Sequence, residues 1–397
     1  MADALGCGSV RLGFPWGKIE KNPDRIDLGR ERAEVLTEAQ ERGLRVQTTV
    51  GYGNRLYDGG DYPKSPEALT AFGRFAGAVA RETAVFDPLP EIWNEWNLGI
   101  GMADRFGRGE PEDYVPVLAE GYAAVKEVMP GVNILGGCMA GAGLTDDWTK
   151  RACSAGMLEH LDALSFHPYC YWMGGRRAMP ETGMMELIER LEEVLVGFPG
   201  GKEVPFYLTE MGWPTHKGVD GVTLEEQAQY ASRMLLLMRA HPRVRGVWWF
   251  NLNDRDSASE DFNHHFGLRF SDGTPKPSWF SFRDTAKVLE DIDAAELVDL
   301  GRGGVRVVSM TRKSGERVLA VWAVWPGDTM QFEILGLKAS GADTRLMGSD
   351  RDFPVQVNEQ GTANVAVGNM PVILRGFVDK PEILRVRRLV QGAARNE

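Results

Sequence analysis

The sequence predicts a (β/α)8 TIM barrel, seven of whose strands are visible, followed by a small antiparallel β-sandwich. Three observations lead there. Up to about residue 291, short β-branched or aromatic runs alternate with amphipathic helix-forming stretches, the pattern of a parallel sheet covered by helices. Polar and aromatic residues collect just after nearly every run: Trp16, Tyr52 and Asn54, Asn94 and Glu95, His167 and Tyr169, Glu210, and Trp249 and Asn251. A barrel gathers its strand ends at one mouth, whereas an open doubly wound sheet concentrates its site at one switch point. Beyond residue 292 the helical period disappears, and short alternating runs are separated by Gly, Asp and Asn turns.

The barrel strands are expected at 9–14, 44–50, 89–93, 132–136, 161–166, 204–209 and 245–250. Helices are expected at 29–42, 66–83, 111–128, 146–156, 181–196, 223–240 and 277–290. Ser65-Pro66 and Thr223 followed by Glu226 are helix-start signals, the second with capping-box spacing. In the second region, strands are expected at 305–310, 317–322, 330–334, 344–347, 355–357, 364–367 and 372–377, with a hairpin turn at Lys313-Ser314-Gly315-Glu316. These elements define a barrel over 1–291, a β-sandwich over 292–379 and a basic, solvated tail over 380–397 containing Arg385, Arg387 and Arg388.

Composition narrows the partners. The 397 residues are 43% hydrophobic and 25% charged, with net charge −11, so the chain buries a large core and offers no basic surface for nucleic acid or an anionic membrane. No apolar stretch reaches the roughly 18 residues of a membrane span. The four cysteines, Cys7, Cys138, Cys153 and Cys170, form no CxxC pair and are expected as small buried thiols. The given start, Met1-Ala2-Asp3-Ala4-Leu5, has no basic region followed by an apolar core, which points to the cytoplasm; a longer gene product would allow secretion or a periplasmic location.

Two carboxylates stand out. The run Leu89-Pro90-Glu91-Ile92-Trp93 leads into Asn94-Glu95-Trp96-Asn97, and the run 204–209 ends at Glu210, next to Gly212 and Trp213. Cleavage of a glycosidic bond needs two carboxyl groups flanking that bond. Glu95 is the candidate general acid and base, with Trp93 and Trp96 expected to keep its surroundings apolar. Glu210 is the candidate nucleophile, needing donors that His167, Tyr169 or Arg11 would supply. Each has a bland alternative: a capping Glu95, an arginine-paired structural Glu210, a core His167, a structural ion pair at Arg11, an Asn94 amide that serves only its loop. Trp16, Trp213 and Trp249 are candidate sugar platforms, in a set of eleven tryptophans that must also supply the core.

Other patterns fail. Gly136-Gly137 to Gly143 lacks the residues of a phosphate loop or dinucleotide fingerprint, and adjacent His264 and His265 point apart in an extended chain. No metal or cofactor is expected; a carbohydrate is the expected partner, and oligomeric state is not legible.

The segment from Val10 to Gly273 resembles the clan-A glycoside hydrolases, most closely family 39-like members including bacterial exopolysaccharide hydrolases. The matching strings are Val10-Arg11, Trp16, Ile19-Glu20, Trp93-Asn94-Glu95, Phe166-His167-Pro168-Tyr169, Leu208-Thr209-Glu210, Trp248-Trp249 and the stretch from Gly267-Leu268 to Pro275-Lys276-Pro277. Met370 to Gly376 is similar to the last strand of the β domain such enzymes often carry. The resemblance implies retaining hydrolysis with Glu95 as acid/base and Glu210 as nucleophile, and contacts from Arg11, Asn94, His167 and Tyr169. It also places the two glutamates after barrel strands four and seven, whereas here they follow the third and sixth visible strands. One strand, the first, is therefore expected to be missing. Exo-acting β-glycosidase (β-xylosidase-like) and non-catalytic carbohydrate-binding readings remain as alternatives.

Overall fold

The computed structural model describes residues 3–103, 109–144, 147–301, 303–338, 342–349 and 351–389. Seven parallel strands form one sheet in chain order: β1 (Ser9–Pro15), β2 (Arg45–Gly51), β3 (Leu89–Ile92), β4 (Leu135–Ala140), β5 (Ala163–His167), β6 (Phe206–Met211) and β7 (Val244–Trp249). Every neighbouring pair is parallel, the arrangement of a TIM-like barrel. β1 and β7 share no ladder among the described residues. The five inner strands are buried almost throughout, while β1 and β7 are half-exposed along their lengths, as the edges of an interrupted barrel must be. Before β1, Asp3–Leu5 makes only a single 3-10 turn.

Between these strands run α1 (Arg30–Glu41), α2 (Pro66–Thr83), α3 (Pro111–Val128), α4 (Asp147–Ser154), α5 (Met185–Leu195) and α6 (Leu224–Ala240); α7 (Pro277–Glu290) follows β7. Local chemistry sets their starts. Ser65 accepts a hydrogen bond from the Ala68 N–H ahead of Pro66, and Thr223 and Glu226 form the expected capping box. α2 and α3 pack at close range because Gly73 and Gly77 face the Glu120 and Ala124 carbonyls, where a methyl group would lie only 3.2 and 3.1 Å away.

One element differs from expectation for an instructive reason. The strand here, β4, is expected at 132–136. The strand instead runs through Gly136 and Gly137 to Ala140, with a bulge where Gly137 and Cys138 both take positive φ (94° and 38°).

The second half forms two antiparallel sheets from β8 (Ile292–Leu297), β9 (Val305–Arg312), β10 (Arg317–Ala323), β11 (Met330–Leu337), β12 (Asp343–Leu346), β13 (Asp352–Pro354), β14 (Thr362–Val367), β15 (Val372–Arg375) and β16 (Phe377–Arg388). The strand orders are β8-β9-β10-β15-β12-β13 and β14-β11-β16. Val307, Val321 and Leu374 of the larger sheet share one core with Phe332, Ile334 and Val365 of the smaller, which makes the domain a sandwich. The strand expected at 355–357 lies three residues earlier, and Val357 makes only an isolated bridge to Ala363.

The expected solvated tail is corrected in part. Residues 380–388 belong to β16, where Arg387 pairs with Gln331 and Arg388 with Met330 of β11; 390–397 lie outside the described residues. Alternation keeps Arg385 and Arg387 exposed while Val386 enters the core, so the charges that suggested a tail occupy the outer face of a strand.

Compactness also divides the chain away from the expected 291/292 boundary. One unit is Met1–Cys170, Met184–Met211 and Arg243–Phe250; the other is Tyr171–Gly183, Gly212–Pro242 and Asn251–Glu397. Helix α6 shows why, since its side chains bond within the second unit. Arg233 donates to the carbonyls of Ala323, Val324 and Asn369, Arg239 to those of Ile292 and Asp293, and the Ser232 and Thr285 hydroxyls meet at 2.7 Å. The buried ones among them satisfy groups that would otherwise be left unpaired.

Candidate active site

All of the proposed polar site residues lie in the first unit, most of them at or near the C-terminal ends of its strands. Arg11 sits mid-β1 and pairs in register with Gln47; Thr49 of β2 pairs with Glu91 of β3. Register therefore puts a cation, an amide, a hydroxyl and a carboxylate on adjoining rungs. Their side chains meet: Arg11 donates to Glu91 Oε2 from Nη2 (2.8 Å) and Nε (3.2 Å), and Thr49 (2.9 Å) and Gln47 (3.3 Å) donate to the same oxygen. Glu91 is fully buried. Burial alone would raise its pKa, but Arg11 first and His167 next outweigh that and hold it at about 2, from an ordinary 4.5.

Arg11 extends this anchored charge to the mouth. Its Nη1 contacts Glu210 Oε1 and its Nη2 donates to Asn94 Oδ1 at 2.6 Å. Tyr169 donates to the other Glu210 oxygen, Oε2, at 2.9 Å. Glu210 thus has a donor on each carboxylate oxygen.

Glu95 and Glu210 both face the Nδ1 side of His167. The His167 Nδ1 donates to Glu95 Oε1 at 2.7 Å and lies 3.7 Å from Glu210 Oε2, while Nε2 lies 3.2 Å from Thr209 Oγ1 and 3.5 Å from Cys138 Sγ. Burial lowers the His167 pKa, but Glu210, Cys138 and the hydrogen bond to Glu95 outweigh that and raise it well above 6.5. A carboxylate oxygen of Glu95, a ring nitrogen of His167 and a carboxylate oxygen of Glu210 all lie within 4.8 Å of one another. Both glutamate side chains keep a little exposure, 17% and 12%, so a ligand can reach them.

The strand ends reach this geometry through unusual backbone. Trp93 and Glu95 both have positive φ (74° and 48°), and the Glu95 N–H donates to the Cys138 carbonyl on β4. These left-handed residues turn the chain sharply where β3 ends, so that Asn94 and Glu95 project into the mouth.

The tryptophans divide differently from expectation. Trp16 is fully buried, its indole N–H on Glu20 and its ring stacked on Tyr57 at 5.0 Å, so it is a core residue and not a sugar platform. Trp213, in the second unit, is equally buried, with its N–H on the Ala178 carbonyl. Trp93 and Trp96 form a buried aromatic pair whose N–H groups bond the Ile100 and Glu110 carbonyls; the hydrogen-bonded neighbour of the Glu95 carboxylate is His167, not an indole. Trp249 ends β7 half-buried. The physical reason is volume: a buried indole contributes large apolar contact once its one donor is satisfied. Trp16→Ala is accordingly expected to cost about 3–5 kcal/mol in urea unfolding, while leaving KM for any substrate near the wild-type value.

Two contributors were not singled out from sequence. Glu91 was hidden in an apolar run, although a charge inside a buried strand is itself a signal. Cys138 lies just beyond the strand expected at 132–136 and is expected only as a small buried thiol, yet its thiol lies between His167 and Asn94 (3.8 Å to Oδ1).

No protein-family model and no curated protein matches the chain. Solved structures do. A family 39 glycoside hydrolase from the gut symbiont Bacteroides cellulosilyticus WH2 matches at 22% identity, covering 94% of this chain and 76% of that one, with TM-score 0.77. A family 39 enzyme from Xanthomonas axonopodis pv. citri follows at 14% identity, 94% and 88% coverage and TM-score 0.64. A family 39 β-xylosidase from Caulobacter crescentus gives 15%, 94%, 89% and 0.61. With its seven-stranded barrel and following sandwich, the chain has the fold of the family 39-like clan-A glycoside hydrolases.

Proposed function

We propose that this protein is a retaining glycoside hydrolase that cleaves β-glycosidic bonds in a polysaccharide or oligosaccharide by double displacement. The observation that carries the reading is the approach of the Glu95 and Glu210 carboxylates to within 4.8 Å at their nearest site atoms, each held by separate donors. Retaining enzymes place their carboxyl groups about 5–5.5 Å apart, whereas inverting ones leave roughly 6.5–9.5 Å for a water molecule.

In the first step Glu210 attacks the anomeric carbon as Glu95 transfers a proton to the departing oxygen, giving a glycosyl ester and a free leaving group. In the second, Glu95 takes a proton from water, whose oxygen attacks the same carbon and releases Glu210. Arg11 and Tyr169 hold Glu210 in place for both displacements. Asn94, fixed through Oδ1 by Arg11, is left with its amide N–H groups for a sugar hydroxyl.

The test is the anomeric configuration of the first-formed product, followed by NMR on a panel of β-glycans and aryl β-glycosides that includes xylosides. A β product supports the proposal; initial α product overturns retention, and no turnover of the panel overturns the proposed substrate class. Glu95→Gln should lower kcat about 10²–10⁴-fold on substrates with poor leaving groups, the usual worth of general acid catalysis. With an activated aryl leaving group the loss in the first step should be much smaller, which a burst experiment reads directly.

A further inference from the structure

Cys138 takes no part in that mechanism, yet its thiol stands behind the catalytic pair. A Glu91 carboxylate oxygen, the Cys138 sulfur and a His167 ring nitrogen lie within 4.8 Å of one another, and all three residues are buried. Glu91 Oε2 is occupied by Arg11, Thr49 and Gln47, while its Oε1 is buried with no hydrogen-bond partner. A buried carboxylate oxygen with no donor is costly unless something else satisfies it.

We propose that Glu91, Cys138 and His167 form a binding site for a thiophilic divalent ion, zinc being the ion the donors fit, and that its occupation switches the enzyme off. Thiolate, imidazole and carboxylate are the zinc donor set. The sulfur–nitrogen separation of 3.5 Å is close to the roughly 3.6 Å that zinc–sulfur and zinc–nitrogen bonds of about 2.3 and 2.05 Å enclose at a tetrahedral angle. Glu95 accepts from His167 Nδ1 and so turns Nε2 toward Cys138, the carboxylate–histidine–metal relay that orients metal-bound imidazoles. The bulge supports the same end, because positive φ at Gly137 and Cys138 places the thiol at the site.

Occupation would draw His167 toward the metal and fix Glu91, changing the two partners on which Glu95 and Arg11 depend. The inhibition rests on the catalytic reading given above; the binding does not.

Titration of the full chain with zinc chloride, under reductant and followed by calorimetry, separates the two. One equivalent is expected to bind, with glycosidase activity lost in step and restored by a chelator, and magnesium is expected to do neither. Cys138→Ala, checked for folding by circular dichroism, should weaken zinc binding by about 100-fold or more, since even outer-shell partners are worth 10–100-fold. Should that variant fail to fold, cobalt bound to the wild type must show a thiolate-to-metal charge-transfer band. Absence of stoichiometric zinc binding, unchanged affinity in folded Cys138→Ala, or cobalt binding without that band would each overturn the site. Binding without loss of activity would overturn the switch alone.

Discussion

Glu210→Gln is expected to reduce kcat by about 10⁴- to 10⁶-fold, the range seen when a covalent nucleophile is removed, with KM changed only a few-fold. The amide is nearly the shape of the carboxylate, and its oxygen still accepts a hydrogen bond from Arg11 or Tyr169, so the mouth keeps its form. What disappears is the ability to form and later release an ester at the anomeric carbon. Arg11 retains its bonds to Glu91, so the variant should fold with a melting temperature close to wild type. Steady-state assays on the best substrate of the glycan panel check this, together with intact-mass measurement after a slow fluorinated glycoside: wild type gains one glycosyl unit and the variant none. Activity within tenfold of wild type would remove Glu210 from the mechanism.

Glu91→Gln should give a large stability loss. The fully buried carboxylate is the chief counter-charge of Arg11, and removing one partner of a buried pair typically costs about 3–5 kcal/mol. Arg11 keeps Glu210, which places the expected loss at the lower end. Because the folded-state pKa of Glu91 is depressed, from 4.5 to about 2, its contribution is fully present above pH 4.5 and is lost as pH falls toward 2. That depression corresponds to roughly 3 kcal/mol, in line with the mutational figure. Denaturant midpoints of wild type and variant should therefore differ most near neutrality and converge toward pH 2. A constant difference down to pH 2 would contradict the assignment. His167 has the opposite sign: its raised pKa adds stability below about pH 6.5 that is lost as pH rises through the folded value. Glu91 thus contributes to the acid limb of the stability profile and His167 to the alkaline limb.

Glu91→Gln should also lower kcat, since Arg11 would lose the group that holds it beneath Glu210. A lower melting temperature with unchanged kcat would make Glu91 a structural residue only.

Much of this was legible because local rules operate at short range. Strand and helix periods located β1 to β7 and α1 to α7 to within a few residues, and the caps at Ser65 and Thr223 are chemistry between neighbours in sequence. The two glutamates were legible because a carboxylate at the exit of a buried strand is rare. The bulge in β4 was not, because glycine weakens every local preference. Arg385 and Arg387 misled for a related reason: exposed charges on one face of a strand have the same composition as a tail.

By itself the sequence determined the alternation of elements, the two carboxylates 115 residues apart and the residue types around them. Only the tertiary structure decided which partners those residues hold. It seated Arg11 between Glu91 and Glu210, set His167 beside Glu95, and sent Trp16 and Trp213 into the interior. Side-chain periodicity fixes a face, but a hydrogen bond between residues tens or hundreds of positions apart depends on strand register and burial, and those follow from packing the whole chain.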